Sequence, residues 1–408
     1  MRGKRTYGDP ALLSRCRSPG KNNQLIEKIY RKNMIPVAKP HITAGDAKAV
    51  SAVVLSGWII QGPKVEEFEK RVAGYVGVRY AVATSSATTA MHLGFIACGI
   101  GKGDEVIVPS MSFIASPNSI VHAGATPVFA DINERTYNVD PEDVERNITK
   151  KTKAILAVHQ IGLPADMEAL TRIAKKYDLM VFEDAACGLG AKIGNAYVGS
   201  FGTWSAFSFH PRKTVTTGEG GILVTNNQEI AEKVRMLRQH GASVSVYSRH
   251  TDKGIVRESY PIIGYNFRMS DIHAALGISQ FRRINSLLKS RQNLAKRYDE
   301  ALSGQPNIII PYVPPGYTHT YQSYMIRLPG SGGKIRNKVM QHLLKHGIAT
   351  RAGVMSAHLE KPYKTMYPNL RLPVTERVSR ETLILPLYAQ MRQKEQDCVI
   401  DQLKKALG

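Results

Sequence analysis

The feature that most constrains this chain is a rhythm of short apolar strands alternating with amphipathic helices. Tyr80 to Thr84 reads as a strand, Ser86 to Ala97 as a helix, Glu105 to Val108 as a strand and Phe113 to His122 as a helix. Thr126 to Ala130, Lys153 to Val158 and Leu179 to Phe182 continue as strands, with a helix from Met167 to Tyr177. Such alternation predicts an α/β fold, a mostly parallel central sheet flanked by helices on both faces. The strands are continuous apolar runs, as a sheet without a solvent face requires. Upstream, Ala47 to Leu55 and Pro63 to Tyr75 pattern as helices, the second with Val65, Phe68, Val72 and Tyr75 on one face.

After Gly221 the pattern changes. Ile222 to Thr225 reads as a strand and Glu229 to Gln239 as a helix, and the polar stretch 241–263 as a long loop. Ile272 to Leu302 reads as one long helix with a basic outer side, leading into a smaller unit. That unit has a strand at Tyr324 to Leu328 and helices at Lys334 to His346 and Gln393 to Leu407. The expected organisation is a basic, largely disordered tail over 1–33, a large domain over 34–294 and a small α+β domain over 295–408. Met34 opens the patterned region and is a candidate natural start.

The chain has 408 residues, 43% of them hydrophobic, enough for a sizeable core and more than one domain. No apolar run reaches the roughly 18 residues of a membrane span, so no membrane partner is expected. Cys16, Cys98, Cys187 and Cys398 show neither CxxC pairing nor metal-ligand spacing, which predicts no metal and no disulfide framework. A reducing, cytoplasmic setting is the expectation. Net charge is +22, of which residues 1–33 hold +7. A basic surface suits nucleic acid, an anionic membrane or a phosphorylated substrate, and equally a solvated face. The tail lacks the apolar segment of a secretory signal.

In an open parallel sheet, chemistry gathers at the carboxyl ends of the strands. Three strand ends carry it here. After Thr84 comes Ser85-Ser86-Ala87-Thr88-Thr89, small hydroxyl residues opening a helix. Free N–H groups there form a phosphate cradle, or the serine is simply a helix cap. After Phe182 comes Glu183-Asp184-Ala185-Ala186, where a buried carboxylate needs a cationic partner or serves as a structural ion. After Phe209 comes His210-Pro211-Arg212-Lys213, then the turn Gly218-Glu219-Gly220-Gly221. A lysine shielded there becomes a nucleophilic amine. The glycine run leads into a strand, so it is not a dinucleotide fingerprint. Together, an anion site, an acid for a ring nitrogen and a Schiff-base lysine are what pyridoxal phosphate requires.

At these residues the chain resembles the DegT/DnrJ/StrS family of sugar aminotransferases, whose fold is that of aspartate aminotransferase. The likeness runs from Met34 to Leu407. It rests on Ser56-Gly57-Trp58, Gly62-Pro63-Lys64-Val65-Glu66-Glu67-Phe68-Glu69, Gly101 to Ser110, Gly124 to Phe129, Gly162 to Met167, Ser208 to Lys213 and Gly264 to Met269. The resemblance implies that Lys213 bonds the cofactor and shuttles the proton, and that Asp184 pairs with the pyridine nitrogen. Phe113 would lie on the ring face. Ser86, Ala87, Thr88 and Ser208 would hold the phosphate. Asn266 would reach it from a second subunit of a homodimer. Glutamate is the implied donor and a nucleotide-linked keto sugar the acceptor, for polysaccharide or lipopolysaccharide O-antigen synthesis.

Relatives often have glycine at Ala87 and glutamine or histidine at Cys187, beside the cofactor's phenolic oxygen. Related sugar dehydratases carry histidine where this chain has Lys213, which favours transamination. The Ser-Ala-Thr-Thr and Asp-Ala-Ala-Cys runs resemble the perosamine-synthase subgroup and point to a 4-keto-6-deoxyhexose. Trp58, Ile59, His159, Arg351 and His358 are candidates for the sugar side, each with a packing or loop role as its alternative. Two other functions compete: the same chemistry on a keto-cyclitol, and a non-catalytic basic regulator or nucleic-acid binder. The intact Asp184, Ser208 and Lys213 weigh against the second.

Overall fold

The computed structural model describes residues 34–244 and 257–408. The basic tail 1–33, with Cys16, and the centre of the expected 241–263 loop lie outside the described residues.

Seven strands form the central sheet: β1 (Tyr80–Thr84), β2 (Glu105–Pro109), β3 (Thr126–Ala130), β4 (Thr152–Val158), β5 (Met180–Asp184), β8 (Trp204–Ser208) and β9 (Gly221–Thr225). Between β5 and β8, the dipeptide strands β6 (Lys192–Ile193) and β7 (Ala196–Tyr197) make a hairpin that the sequence did not signal. The sheet order is β1-β9-β8-β5-β4-β2-β3. β9 alone runs against its neighbours, and the other six strands point the same way. Six carboxyl termini therefore share one edge.

Helices cover both faces. Helix α1 (Ala44–Ser56) opens on a Thr43/Asp46 capping box and stops at Gly57, which takes the left-handed φ of 76°. Helix α2 (Pro63–Val76) turns Val65, Phe68 and Val72 inward against Phe209 and Phe281. Helix α3 (Ala87–Ala97) packs on the other face, where Trp204 stacks on Phe182 at 4.5 Å and Phe95 meets both edge-on. Gly94 permits this contact, since a Cβ there would lie 2.6 Å from the Trp204 ring. Helices α4 (Ala115–His122), α5 (Met167–Tyr177) and α6 (Gln228–Leu237) complete the cover.

The expected long connector is two helices, α7 (Asp271–Phe281) and α8 (Ile284–Leu302), broken at Arg282-Arg283. Arg283 bonds Asp46 with Nη2 at 2.7 Å, a tie to α1 that a straight helix would not make. From α8 the chain enters a second, antiparallel sheet: β11 (Tyr324–Arg327), β12 (Arg351–Ala352) and β13 (Thr382–Leu385), in order β11-β13-β12. Strand β10 (Tyr317–Thr318) pairs back onto β6. Helices α9 (Lys334–Lys345) and α10 (Gln393–Leu407) pack over a core of Tyr298, Tyr324, Ile326, Leu343 and Leu403. No helix among the described residues is long and apolar enough to cross a membrane.

The chain that joins the two sheets contains a buried histidine. His319 Nδ1 accepts the Tyr321 N–H at 2.9 Å, its ring stacks on Tyr321, and burial depresses its pKa to about 3. A histidine depressed in the folded state is protonated first in the unfolded one. Its destabilising effect is absent above the unfolded pKa of roughly 6.5 and grows as pH falls toward 3, by up to ~1.4 kcal/mol per pH unit. We expect His319→Asn, which keeps an acceptor for Tyr321, to flatten the loss of stability between pH 6.5 and 5. Urea unfolding across that range measures it, and identical slopes in both proteins would refute the assignment.

Candidate active site

Gly221 organises the site. As the first residue of β9 it pairs with the last residue of β1, Thr84, and the last of β8, Ser208. Its backbone also lies against the start of α3, where a Cβ would come within 2.2 Å of the Ala87 nitrogen. Only glycine allows that approach. At the helix start, Ser86 Oγ accepts the Thr89 N–H at 3.2 Å and Thr89 Oγ1 accepts the Ser86 N–H at 3.1 Å. This capping box leaves the N–H groups of Ala87 and Thr88 without intrahelical acceptors, at the positive end of the helix. The cap and the cradle of the sequence reading are thus one structure, with Ser208 beside it.

One strand further in, Asp184 is 6% exposed. Its Oδ2 accepts the Ser116 hydroxyl at 2.6 Å and its Oδ1 the Ala186 N–H at 3.1 Å. Ser116 Oγ lies 2.5 Å from Ser112 Oγ. No lysine, arginine or histidine pairs with Asp184 among the described residues. A buried carboxylate in that state is costly, and a cation placed before it would be favourable. Lys213 sits on the turn after β8, and its Nζ donates to Cys187 Sγ at 3.1 Å. Cys187 is tied in turn to the second sheet's approach, its carbonyl accepting the Thr320 hydroxyl at 3.1 Å. Phe113, beyond the end of β2 and just ahead of α4, is 64% exposed.

Amine, uncompensated carboxylate, anion cradle and bare aromatic ring therefore gather on one edge of the sheet. These residues fit pyridoxal phosphate. The carboxylate suits a protonated ring nitrogen, the helix start suits a phosphate dianion, and the lysine suits an aldehyde carbon.

The other candidates are distributed differently. His159 is inside the protein: Nδ1 accepts the Ala165 N–H at 3.0 Å, so the ring proton sits on Nε2, which meets Glu183 Oε2 at 2.9 Å. His358 is equally buried, with Nδ1 2.5 Å from Ser110 Oγ and Nε2 3.4 Å from Glu376. Burial holds its pKa below the usual histidine range. It clasps the turn after β2 to the segment before β13. Trp58 packs over Gly62, where a Cβ would overlap its ring, and Ile59 is exposed beside it. Arg351 is exposed on β12. Asn266 is exposed and bridges to Gln239, while the neighbouring Phe267 carbonyl accepts the Ser85 N–H at 2.8 Å. Ser116 and the anchoring role of Glu183 went unread in the sequence. The available signal was the pair of small hydroxyl residues flanking the helix start, Ser112 ahead of α4 and Ser116 in its first turn.

Comparison with known proteins agrees with this geometry. The model of the DegT/DnrJ/EryC1/StrS aminotransferase family matches residues 40–404. The spore coat polysaccharide biosynthesis protein SpsC of Bacillus subtilis (strain 168) is 36% identical over 378 residues, 92% of this chain and 97% of that protein. The putative sugar aminotransferase Spr1654 from Streptococcus pneumoniae, solved in its PMP form, is 30% identical with a TM-score of 0.86, covering 91% of this chain and 98% of that one. The same protein is also solved in a PLP form. Helicobacter pylori PseC, an aminotransferase involved in the biosynthesis of pseudoaminic acid, is 28% identical with a TM-score of 0.85, covering 91% and 99%.

Gly221→Ala should force Ser86 and Ala87 away from β9. We expect a loss of ~1–3 kcal/mol in unfolding free energy, together with weaker phosphate binding at the α3 start. Urea unfolding and phosphate titration of the cofactor-free protein measure the two effects. Wild-type values in both would show that the strand and helix do not need this contact.

Proposed function

Since the chain belongs to the DegT/DnrJ/EryC1/StrS aminotransferase family and is a pyridoxal-phosphate-dependent aminotransferase, we propose that it moves the amino group of glutamate onto the keto carbon of a nucleotide-linked sugar. A 4-keto-6-deoxyhexose is the favoured acceptor, and cytoplasmic polysaccharide or glycoconjugate synthesis the setting. The observation that carries the reading is the buried, uncompensated Asp184 held by Ser116, one strand from Lys213.

Bound in this cleft, the cofactor supplies an electron sink for the carbon that loses its proton. The chain's own residues supply the rest. Asp184 keeps the ring nitrogen protonated, and Ser116 fixes the orientation of its carboxylate. The Lys213 amine would take the proton from one carbon and return it to another. Cys187 accepts from that amine and would offer a weak donor to the cofactor's phenolic oxygen. Ser86, Ala87, Thr88 and Ser208 grip the phosphate, using the helix dipole. Phe113 covers the ring and excludes water. Asn266, exposed on one protomer, completes the phosphate site of its partner in a homodimer.

On the sugar side, Trp58 and Ile59 offer an apolar wall, and Arg351 offers a planar cation for the diphosphate. His159 and His358 act from behind, by holding the strand ends in place.

The visible absorption of the purified protein tests this. We expect a long-wavelength band of lysine-bound cofactor that glutamate bleaches and a 4-keto-6-deoxy nucleotide sugar restores. Lys213→Ala should lack that band and transaminate about 10²–10⁴-fold more slowly, the range for losing one acid–base group. Protein that stays colourless with excess pyridoxal phosphate would exclude these roles.

A further inference from the structure

The short turn between β10 and β11, Thr320 to Gln322, touches both halves of the Lys213–Cys187 pair. Gln322 Nε2 donates to the Arg212 carbonyl at 2.9 Å. That carbonyl shares one planar peptide with the Lys213 N–H, which donates to the His210 carbonyl at 2.8 Å. Both ends of the peptide that carries the lysine are therefore bonded. The cysteine is treated alike. The Thr320 hydroxyl donates to the Cys187 carbonyl at 3.1 Å, and the Gly188 N–H of the same peptide donates to the Ala185 carbonyl at 2.8 Å. Thr320 is fully buried and Gln322 nearly so.

The turn is itself fixed from several sides. Tyr321 has a left-handed φ of 47°. Across the 3.0 Å bond from the Thr320 N–H to the Gly162 carbonyl, Ile161 has one of 49°. A β-branched residue in that region is an outlier, and such backbone persists only where its surroundings over-determine it. The buried Arg291 supplies part of that constraint, directing Nη1 at the carbonyls of Tyr321, Gln322 and Leu387 at 3.2, 3.2 and 3.3 Å. Gly162 leaves room for the approach, since a Cβ there would lie 2.0 Å from Thr320 Oγ1.

We propose that Gln322 and Thr320 are positioning residues for the lysine: they fix the peptides of Lys213 and Cys187 and so hold the amine in place for bonding to the cofactor. The inference rests on Lys213 being the cofactor's lysine. Losing either side-chain bond leaves a buried carbonyl unmet and lets its peptide rotate. That change weakens the events in which the amine takes part and spares the contacts to the cofactor's ring and phosphate.

Equilibrium binding of the two cofactor forms to the cofactor-free protein separates positioning from general support. Pyridoxal phosphate bonds the lysine, pyridoxamine phosphate cannot, and both use the same ring and phosphate contacts. We expect Gln322→Leu and the near-isosteric Thr320→Val each to weaken pyridoxal phosphate about 3- to 10-fold, the worth of one hydrogen bond. Both should leave pyridoxamine phosphate unchanged, which also reports that the variants are folded. Thr320→Ser, which keeps the hydroxyl, should bind both forms as the wild type does. Unchanged affinity for pyridoxal phosphate in Gln322→Leu and Thr320→Val, or an equal loss for the two forms, would overturn the proposal and leave Lys213 in its role. Wild-type affinity for pyridoxal phosphate in Lys213→Ala would remove the lysine assignment and the positioning role with it.

Discussion

Glu183 is completely buried, and its carboxylate gathers four donors. Its Oε2 meets His159 Nε2 and the Gly199 N–H, both at 2.9 Å, and its Oε1 accepts the N–H groups of Phe201 and Gly202 at 3.0 and 2.7 Å. These bonds fasten the turn that leads into β8 to the end of β5 and to the loop after β4. Side chains alternate along a strand, so Glu183 and its neighbour Asp184 serve opposite faces. One locks three strand ends together from behind, and the other faces the site. Removing Glu183 would strand several buried N–H groups, each costing about 1–3 kcal/mol, and would loosen the strand that leads to Lys213.

The chemistry follows from that frame. Lys213, Asp184 and Ala87 are far apart in sequence, yet Gly221 of β9 pairs with both Thr84, just ahead of the Ala87 helix, and Ser208, just ahead of the Lys213 turn, while Asp184 on β5 pairs with Ala206 of β8. The cleft is electrostatically one-sided at two places. A helix start with unused N–H groups awaits an anion, and a carboxylate with only neutral donors awaits a cation. A molecule that carries both charges at a fixed separation would satisfy both places at once.

Much of this could be read from residues alone where local physics decides. The seven central strands and their helices emerged from apolar runs and capping residues, because each can be recognised within a few residues. The connector was read as one helix because Arg282 and Arg283 fit a helical surface. The break there is decided by Asp46, more than 200 positions away in sequence. His159 and His358 looked like pocket residues because each follows a strand or sits in a polar loop. Their ring nitrogens are committed to Glu183, Ala165 and Ser110, partners that no local pattern reveals.

The sequence by itself determined the sheet class, the three chemically loaded strand ends and the lysine, carboxylate and helix start that belong to a pyridoxal phosphate enzyme. These depend on periodicity and on residue types at the ends of elements, which are local properties. Only the tertiary structure decided that Ser116 holds Asp184, that Cys187 holds Lys213 and that Gly221 sets the spacing. Each of these depends on the register of non-neighbouring strands and on burial, which appear only when distant segments pack together.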